Sequence, residues 1–401
     1  GFGEKTQTDI LNQIDFLRNS KGAVLLPVGM EYGENVLKLF RQLFPHSRFE
    51  ITGSLKRKME VVRQIDIAGT IESEHLYEKI DDLDDFSMKD GLIHYKSIPV
   101  TYQFSQQKDF QDNYLLSLLP ESFNPDIQPY SMAELQNIPA ECLDLIAMSN
   151  GKKVTCIDNL LDFDDIKGVI HAHSSWSDGN NTVEEMAVAS KEAGYQYLLL
   201  TDHSASAFYA NGLTEDRVLQ QWREIDKINE RWPDFKVFKG IESDILTDGR
   251  LDYRDDFITG FEVVIASVHS VLKMDENTAT VRLIKAIEHP STRILGHLTG
   301  RLLLSRSGYP VDHKKIIDAC AANRVVIEIN ANPHRLDLDW RWLPYAMERG
   351  VGICLSPDAH HIRGIKDLVY GVWMARKGGL VKDSCLNTKD RQSFENWVSS
   401  K

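Results

Sequence analysis

The sequence predicts an α/β chain in two parts, a small α+β domain followed by a closed or nearly closed β/α barrel of seven strands. Three observations lead there. Beyond about residue 165, seven short runs follow one another: "VIHAH", "YLLLTDH", "KVFKGIES", "VVIASVHS", "RILGHL", "VVIEIN" and "GICLSPDAH". These runs are apolar on both faces, as parallel strands covered by helices must be. Helical stretches fall between several of them, at 184–193, 214–231, 279–288, 312–322 and 340–349.

The elements before the barrel are less regular. "GFGEKT" at 1–6 reads like the turn of a longer element already under way, so the chain is expected to be cut from something larger. Helix-like pieces around 30–44 and 73–80 mix with β-branched runs around 60–70 and 92–104. Residues 120–140 hold four prolines and few apolar residues in register, which reads as a connection between domains. The expected divisions are 1–120, a connection over 121–165, and the barrel over 166–401. With 42% apolar residues in 401, the chain can bury two cores.

Composition excludes several classes. No apolar run is long enough to cross a bilayer, and nothing resembles an export signal. Five cysteines lie far apart, which argues against a disulfide framework or a thiolate zinc site and fits a reduced, cytoplasmic protein. The net charge of −13 is opposite to that of a protein coating nucleic acid, so any DNA contact needs a local basic patch or bound cations.

Most of the predicted strands end in metal-ligand types. The first gives His171 and His173, with Asp178 in the next loop. The second gives Asp202 and His203, the third Glu242, the fourth His269, the fifth His297, and the seventh Asp358 and His360; the sixth ends in Asn330. Residues two apart on a strand point the same way, so His171 and His173, or Asp358 and His360, can share an ion. A His-x-His pair alone is weak, because histidine is also a common surface or core residue. The signal is position: six of thirteen histidines fall at strand ends of one barrel. Imidazoles and carboxylates without cysteine suit Zn²⁺, Mn²⁺ or Fe²⁺, and nine ligands suffice for two or three ions. Thr201, Asp202, Ser267 and Ser270 fit either ligand orientation or ordinary strand-end hydrogen bonding.

Residues 166–401 resemble a PHP (polymerase and histidinol phosphatase) domain through "HAHSSWSDG", "TDHS", "GIESDILTDGRLDY", "VVIASVHS", "GHLTGRLL", "EINANPHRLDL" and "SPDAH". The resemblance implies a distorted seven-stranded barrel with a trinuclear metal site. His171, His173, Glu242 and Asp358 would hold one ion; Glu242 would bridge to a second, bound also by His269 and His297; Asp178, His203 and His360 would hold the third. Within that group the wording is most similar to the C-terminal domain of bacterial family X DNA polymerases. Leu298, where proline is expected, and Pro357 before Asp358 depart from the pattern without removing a ligand.

The N-terminal part is similar to the same polymerases but lacks their chemistry. "GFGEKT" resembles the hairpin of a fingers helix-hairpin-helix, and "GSLKRKMEVVRQIDIAG" at 53–69 resembles the palm motif. By that resemblance 1–120 is a fingers remnant and palm, and 121–165 a shortened thumb. One aspartate position is Gln64, only Asp66 survives, and Thr101 stands at the third. Two-metal nucleotidyl transfer needs several carboxylates, so this palm is not expected to polymerise DNA.

The resemblance implies a phosphoesterase acting on DNA 3′ ends, single-stranded or gapped, as a 3′–5′ exonuclease with a role in repair. The attacking water would lie between ions held by Glu242, His171, His173 and His269. Lys273, Arg301, Arg306 and Arg335 are candidate phosphate contacts, with Arg301 and Arg335 preferred. Lys56, Arg57, Lys58 and Arg63 form the palm's basic cluster, which is either a DNA-positioning surface or a solvated face. The alternatives are a small-molecule phosphatase of the histidinol-phosphatase type and a non-catalytic DNA-binding scaffold. A monomer is the favoured state.

Overall fold

A computed structural model describes residues 11, 14, 16, 18, 20–80, 83–89 and 91–400. The "GFGEKT" stretch lies outside the described residues. The chain divides into two compact units, one reaching Ile157 and including 302–307, the other made of Asp158–Arg301 and Gly308–Lys401.

The first unit is built on a helix and two sheets. The helix Leu26–Leu43 buries Leu26, Val36, Leu37 and Phe40, a spacing that gathers apolar side chains on one face. Gly29 and Gly33 let it lie close: a Cβ at Gly29 would meet Val62 at 2.6 Å, and one at Gly33 would meet Leu55 at 2.6 Å. Strand β1 (Val24–Leu25) pairs antiparallel with β3 (Val61–Val62). The main sheet joins β2 (Phe49–Thr52), β4 (Ile65–Gly69), β5 (Phe86–Lys89), β6 (Leu92–Tyr95) and β7 (Ile98–Phe104) in the order β2-β4-β7-β6-β5. The β4–β7 pair is parallel and its neighbours are antiparallel. The proline-bearing segment is not an extended connection. Leu135, Leu143 and Ile146 join Leu115 and Leu118 in a core of their own, with Phe123, Tyr130 and Ile138 packed against it.

The second unit is the seven-stranded barrel. Its strands are β8 (Gly168–Ala172), β9 (Tyr197–Leu200), β10 (Lys236–Asp244), β11 (Val263–Ser267), β12 (Thr292–Leu295), β13 (Val326–Asn330) and β14 (Ile353–Ser356), in sequential order and all parallel. A bridge between Ala172 and Ala359, and a hydrogen bond from His173 N to Ala359 O at 2.9 Å, bring the two edges together. Helices over Val183–Glu192, Glu215–Arg231, Glu276–Ile287, His313–Asn323 and Leu343–Glu348 fall between strands. Thr182, Asp275 and Asp312 cap three of them through side-chain oxygens, satisfying amides that the first turn leaves open.

One cluster takes a side chain from each of the seven strands, including Ile170, Tyr197, Phe238, Ile265, Ile294, Val326 and Cys354. It therefore marks the barrel interior. Phe394 completes that cluster, its ring stacked 4.4 Å from Tyr197. Because side chains alternate, the same inward parity runs from Phe238 to Glu242 on β10 and from Val326 to Glu328 and Asn330 on β13. The barrel is apolar toward the strands' N-terminal ends and ionisable toward their C-terminal ends. No helix among the described residues is long and apolar enough to cross a membrane. Among the described residues no disulfide joins the five cysteines.

Candidate metal centre

Six of the nine sequence-predicted ligands are buried, and all nine meet at the C-terminal mouth of the barrel. Glu242 lies at the centre. His297 Nε2 is 3.0 Å and His269 Nε2 3.2 Å from its Oε1, while His203 Nδ1 is 3.0 Å and His173 Nε2 3.7 Å from its Oε2. His171 Nε2 stands 3.4 Å from Glu242 Oε1 and 3.6 Å from Asp358 Oδ1, which is itself 3.1 Å from His173 Nε2. Nearer the opening, Asp178 Oδ1 is 3.3 Å from His360 Nε2 and 3.7 Å from His203 Nε2.

Three overlapping groups have ligand atoms close enough for one ion each: His173, Asp178, His203 and His360; His171, His173 and Glu242; His203, Glu242 and His269. Glu242 belongs to two of them, as a bridging carboxylate requires. The donor set fits divalent cations on a further observation. His171 Nε2, His173 Nδ1, His203 Nδ1 and Glu242 Oε2 are buried without a hydrogen-bond partner. His203 Nδ1 and Glu242 Oε2 approach to 3.0 Å without hydrogen-bond geometry, an arrangement suited to two ligands of one cation. Unpaired buried polar atoms are otherwise costly.

Neighbours fix the tautomers. His171 Nδ1 is 2.6 Å from Glu328 Oε2, His269 Nδ1 is 2.5 Å from Asp244 Oδ1, and His360 Nδ1 is 2.9 Å from the Asp358 carbonyl. Each acceptor holds the proton on Nδ1 and leaves Nε2 to face the cluster, the usual way a carboxylate or carbonyl orients a ligating imidazole. Glu328 also accepts from His297 N at 3.0 Å and Asn330 Nδ2 at 3.1 Å. Sequence reasoning missed Glu328 and Asp244; the inward parity of β13 and β10 was the signal that could have found them.

The backbone departs from simple strand alternation at two of these residues. His171 sits in a register shift of β8 with φ 69°, and Asp358 lies beyond β14 with φ 50°. Both backbones are in the left-handed region, where a non-glycine residue is strained, and such strain collects at functional sites.

Burial opposes charge throughout the cluster, and the mixture of charges decides each outcome. Burial disfavours ionised Glu242, yet His269, His171 and His203 hold its carboxyl well below the usual range. Burial also works against protonated His269, but Glu242 and Asp244 push it up to about 10. His360 is raised to about 9, with Asp178 and Asp358 outweighing burial. His173 goes the other way, lowered to about 3 by burial and by His360 and His203.

Asp202 is a support rather than a ligand. Its carboxylate accepts from Ser174 N and Oγ, Ser177 N and Oγ, and Gln221 Nε2, pinning the loop that carries Asp178. Thr201 Oγ1 bonds the Ala172 carbonyl, a strand-end role. Ser267 is buried with its hydroxyl unpartnered, and Ser270 gives its carbonyl to Arg282.

The basic residues sort differently from expectation. Arg301, expected as a substrate contact, braces the neighbouring chain: Nε bonds the Arg335 carbonyl at 2.8 Å, Nη2 the Leu336 carbonyl, and Nη1 Asp339 at 2.7 Å. These contacts engage all three of its nitrogens. Arg335 stands at the cluster, its Nε 3.5 Å from Asp358 Oδ2. Lys273 is exposed on the loop after β11, and Arg306 is exposed on the 302–307 excursion.

In the first unit, Gln64, Asp66 and Thr101 do come together. Asp66 and Thr101 are register partners across β4 and β7. Gln64 Nε2 and Thr101 Oγ1 each donate to Asp66 Oδ1 at 2.6 Å. The single carboxylate is thus occupied by its own neutral neighbours. Gly53, at φ 59°, lies so close that a Cβ there would stand 2.0 Å from Asp66 Oδ2.

Residues 170–332 match the PHP domain family. Over 98% of its length the chain is 32% identical to the DNA polymerase/3′-5′ exonuclease PolX of Bacillus subtilis, covering 76% of that protein. The chain belongs to the PolX family. It is also 25% identical to a probable phosphatase of Thermoanaerobacter over 54% of this chain and 89% of that one. A zinc-bound histidinol phosphate phosphatase from Lactococcus lactis superposes on 53% of this chain and 94% of its own at a TM-score of 0.41 and 19% identity. This PolX relative therefore carries a PHP barrel, and in its first unit Asp66 accepts from Gln64 and Thr101.

Proposed function

We propose that the chain is a metal-dependent phosphoesterase that hydrolyses DNA from 3′ ends, working in the cytoplasm and in repair, and that it does not polymerise. The convergence of six imidazoles with the carboxylates of Asp178, Glu242 and Asp358 carries this reading. His171, His173, Glu242 and Asp358 would hold one cation, Glu242, His269 and His297 a second, and Asp178, His203 and His360 a third. Bound there, Mn²⁺, Zn²⁺ or Fe²⁺ would supply Lewis acidity and lower the pKa of water.

The chain's own groups do the rest. Glu328 and Asp244 hold two imidazoles in the ligating tautomer. Arg335 puts a fixed positive charge beside Asp358, suited to a phosphate oxygen. Asp178 and His360, each about one-third exposed, form the open side through which a strand end would enter. The Bacillus subtilis relative is a DNA polymerase and 3′-5′ exonuclease by name, which supports DNA as substrate.

The first unit is read as the fingers remnant and palm over 1–120, followed by a shortened thumb over 121–165. Its role in holding DNA would rest on Lys56 and Arg63, which are exposed, because Arg57 is buried against Asp144 at 3.2 Å and the Leu118 carbonyl.

The test is hydrolysis by chelator-treated protein reloaded with Mn²⁺. A single-stranded oligonucleotide should be shortened from its 3′ end, and Glu242→Gln should lower the rate roughly 100-fold or more. Faster cleavage of histidinol phosphate or nitrophenyl phosphate than of DNA would instead mark a small-molecule phosphatase. No cleavage of any phosphoester would leave a scaffold.

A further inference from the structure

Two adjacent aromatic side chains stand in water on a turn that brings one of them to the cluster. Phe208 is 87% exposed and Tyr209 69% exposed, adjacent residues on the short turn Phe208–Ala210. The Tyr209 ring centroid lies 6.3 Å from that of His203. Large exposed rings are uncommon, and a pair beside a reactive site calls for a ligand.

The turn that presents them is held at several points. Ala207 and Ala210 on either side are buried. Ser206 N donates to Asp252 at 2.6 Å, and Ser206 Oγ donates to Asp244, the carboxylate that orients His269. Asn211, in the left-handed conformation, bonds the Trp176 and Ser177 carbonyls, and Arg217 bonds the carbonyls of Asn211 and Gly212. A Cβ on Gly212 would lie 1.9 Å from the Ser204 carbonyl, so the turn depends on glycine there. The rings are thus offered by a preorganised backbone that is tied to the metal cluster through Asp244.

We propose that Phe208 and Tyr209 form a stacking platform for the terminal nucleobases of a single-stranded substrate whose phosphate lies at the cluster. The inference rests on the DNA phosphoesterase reading and names how that site holds its substrate. A base hangs from its phosphate through one sugar, which matches rings bordering the cluster rather than lying inside it. The chain is acidic overall, with a net charge of −13, so it lacks the general attraction that basic proteins use for polyanions. Stacking is uncharged and tolerant of sequence, as removal of successive nucleotides requires.

The probe is a single-stranded oligonucleotide with 2-aminopurine at its 3′ end and a terminal phosphorothioate to slow cleavage, bound to the Mn²⁺-reloaded protein. Fluorescence should fall on binding. In F208A/Y209A the quenching should be lost and the affinity reduced about tenfold or more, while Tyr209→Phe should retain both. With an abasic 3′ terminus, wild type and double variant should bind alike. Equal quenching and equal affinity in wild type and F208A/Y209A would overturn the platform and leave the rings to a protein partner or a second copy of the chain. Absence of hydrolysis of ordinary oligonucleotides by wild type sinks the phosphoesterase reading, whereas ring-dependent quenching would still stand as nucleobase binding.

Discussion

At the scale of residues, the cluster is organised by carboxylates that face imidazoles from behind. Glu328 contacts His171 Nδ1, His297 N and Asn330, so it acts on two sides of the cluster without facing its centre. Glu328→Gln keeps the shape but lets an amide N–H face the His171 ring. Metal affinity should fall roughly 10- to 100-fold, measured by calorimetric titration of chelated protein; unchanged affinity would mean that Glu328 is only packing. The same chemistry gives a pH dependence. His269 is raised to about 10 and His360 to about 9, so without metal both carry a proton at pH 7. Ligation needs the Nε2 lone pair and therefore displaces that proton. Adding Mn²⁺ to weakly buffered protein at pH 7 should release protons, and affinity should rise from pH 6 to pH 9. A titration with no release would place these protons elsewhere.

At the scale of elements, Asp202 governs a loop. Five donors converge on its buried carboxylate, four of them from Ser174 and Ser177. Asp202→Ala would strand them, at a cost of about 2–4 kcal/mol, seen as a lower midpoint in denaturant unfolding; a shift near zero would show that the loop is held otherwise. The barrel strands were legible in sequence because buried parallel strands are apolar on both faces, and most candidate ligands because they stand at or just past the ends of such runs. Glu328 was hidden by the same rule: inside "VVIEIN" it looks like one polar residue within a strand, and only the closed barrel turns it toward His171. The segment 121–165, expected as a connection, hides its packing for the opposite reason. Its prolines suggested a connection, while Leu135, Leu143 and Ile146 lie on helices of four and six residues, too short to show a sustained period. Phe208 and Tyr209 carry no sequence signal, since exposure is a property of the folded turn.

At the scale of the whole molecule, the two units offer very different settings to a cation. The barrel gathers imidazoles and carboxylates around Glu242, whereas the sheet presents Asp66 tied by Gln64 and Thr101. One carboxylate cannot hold two dications against a triphosphate. Primer extension with Mg²⁺ or Mn²⁺ should therefore yield no product, and any template-directed incorporation would return polymerase function to the first unit.

The central claim is that side chains from residue 171 to residue 360 form one cage for several cations. Its most direct test is the metal content of protein stripped with chelator, reloaded with Mn²⁺ or Zn²⁺ and desalted, compared with Glu242→Gln. Retention of about two to three ions per chain, falling by at least one in the variant, is the expected result. Less than one ion per chain in wild type, or equal content in the two proteins, would contradict it.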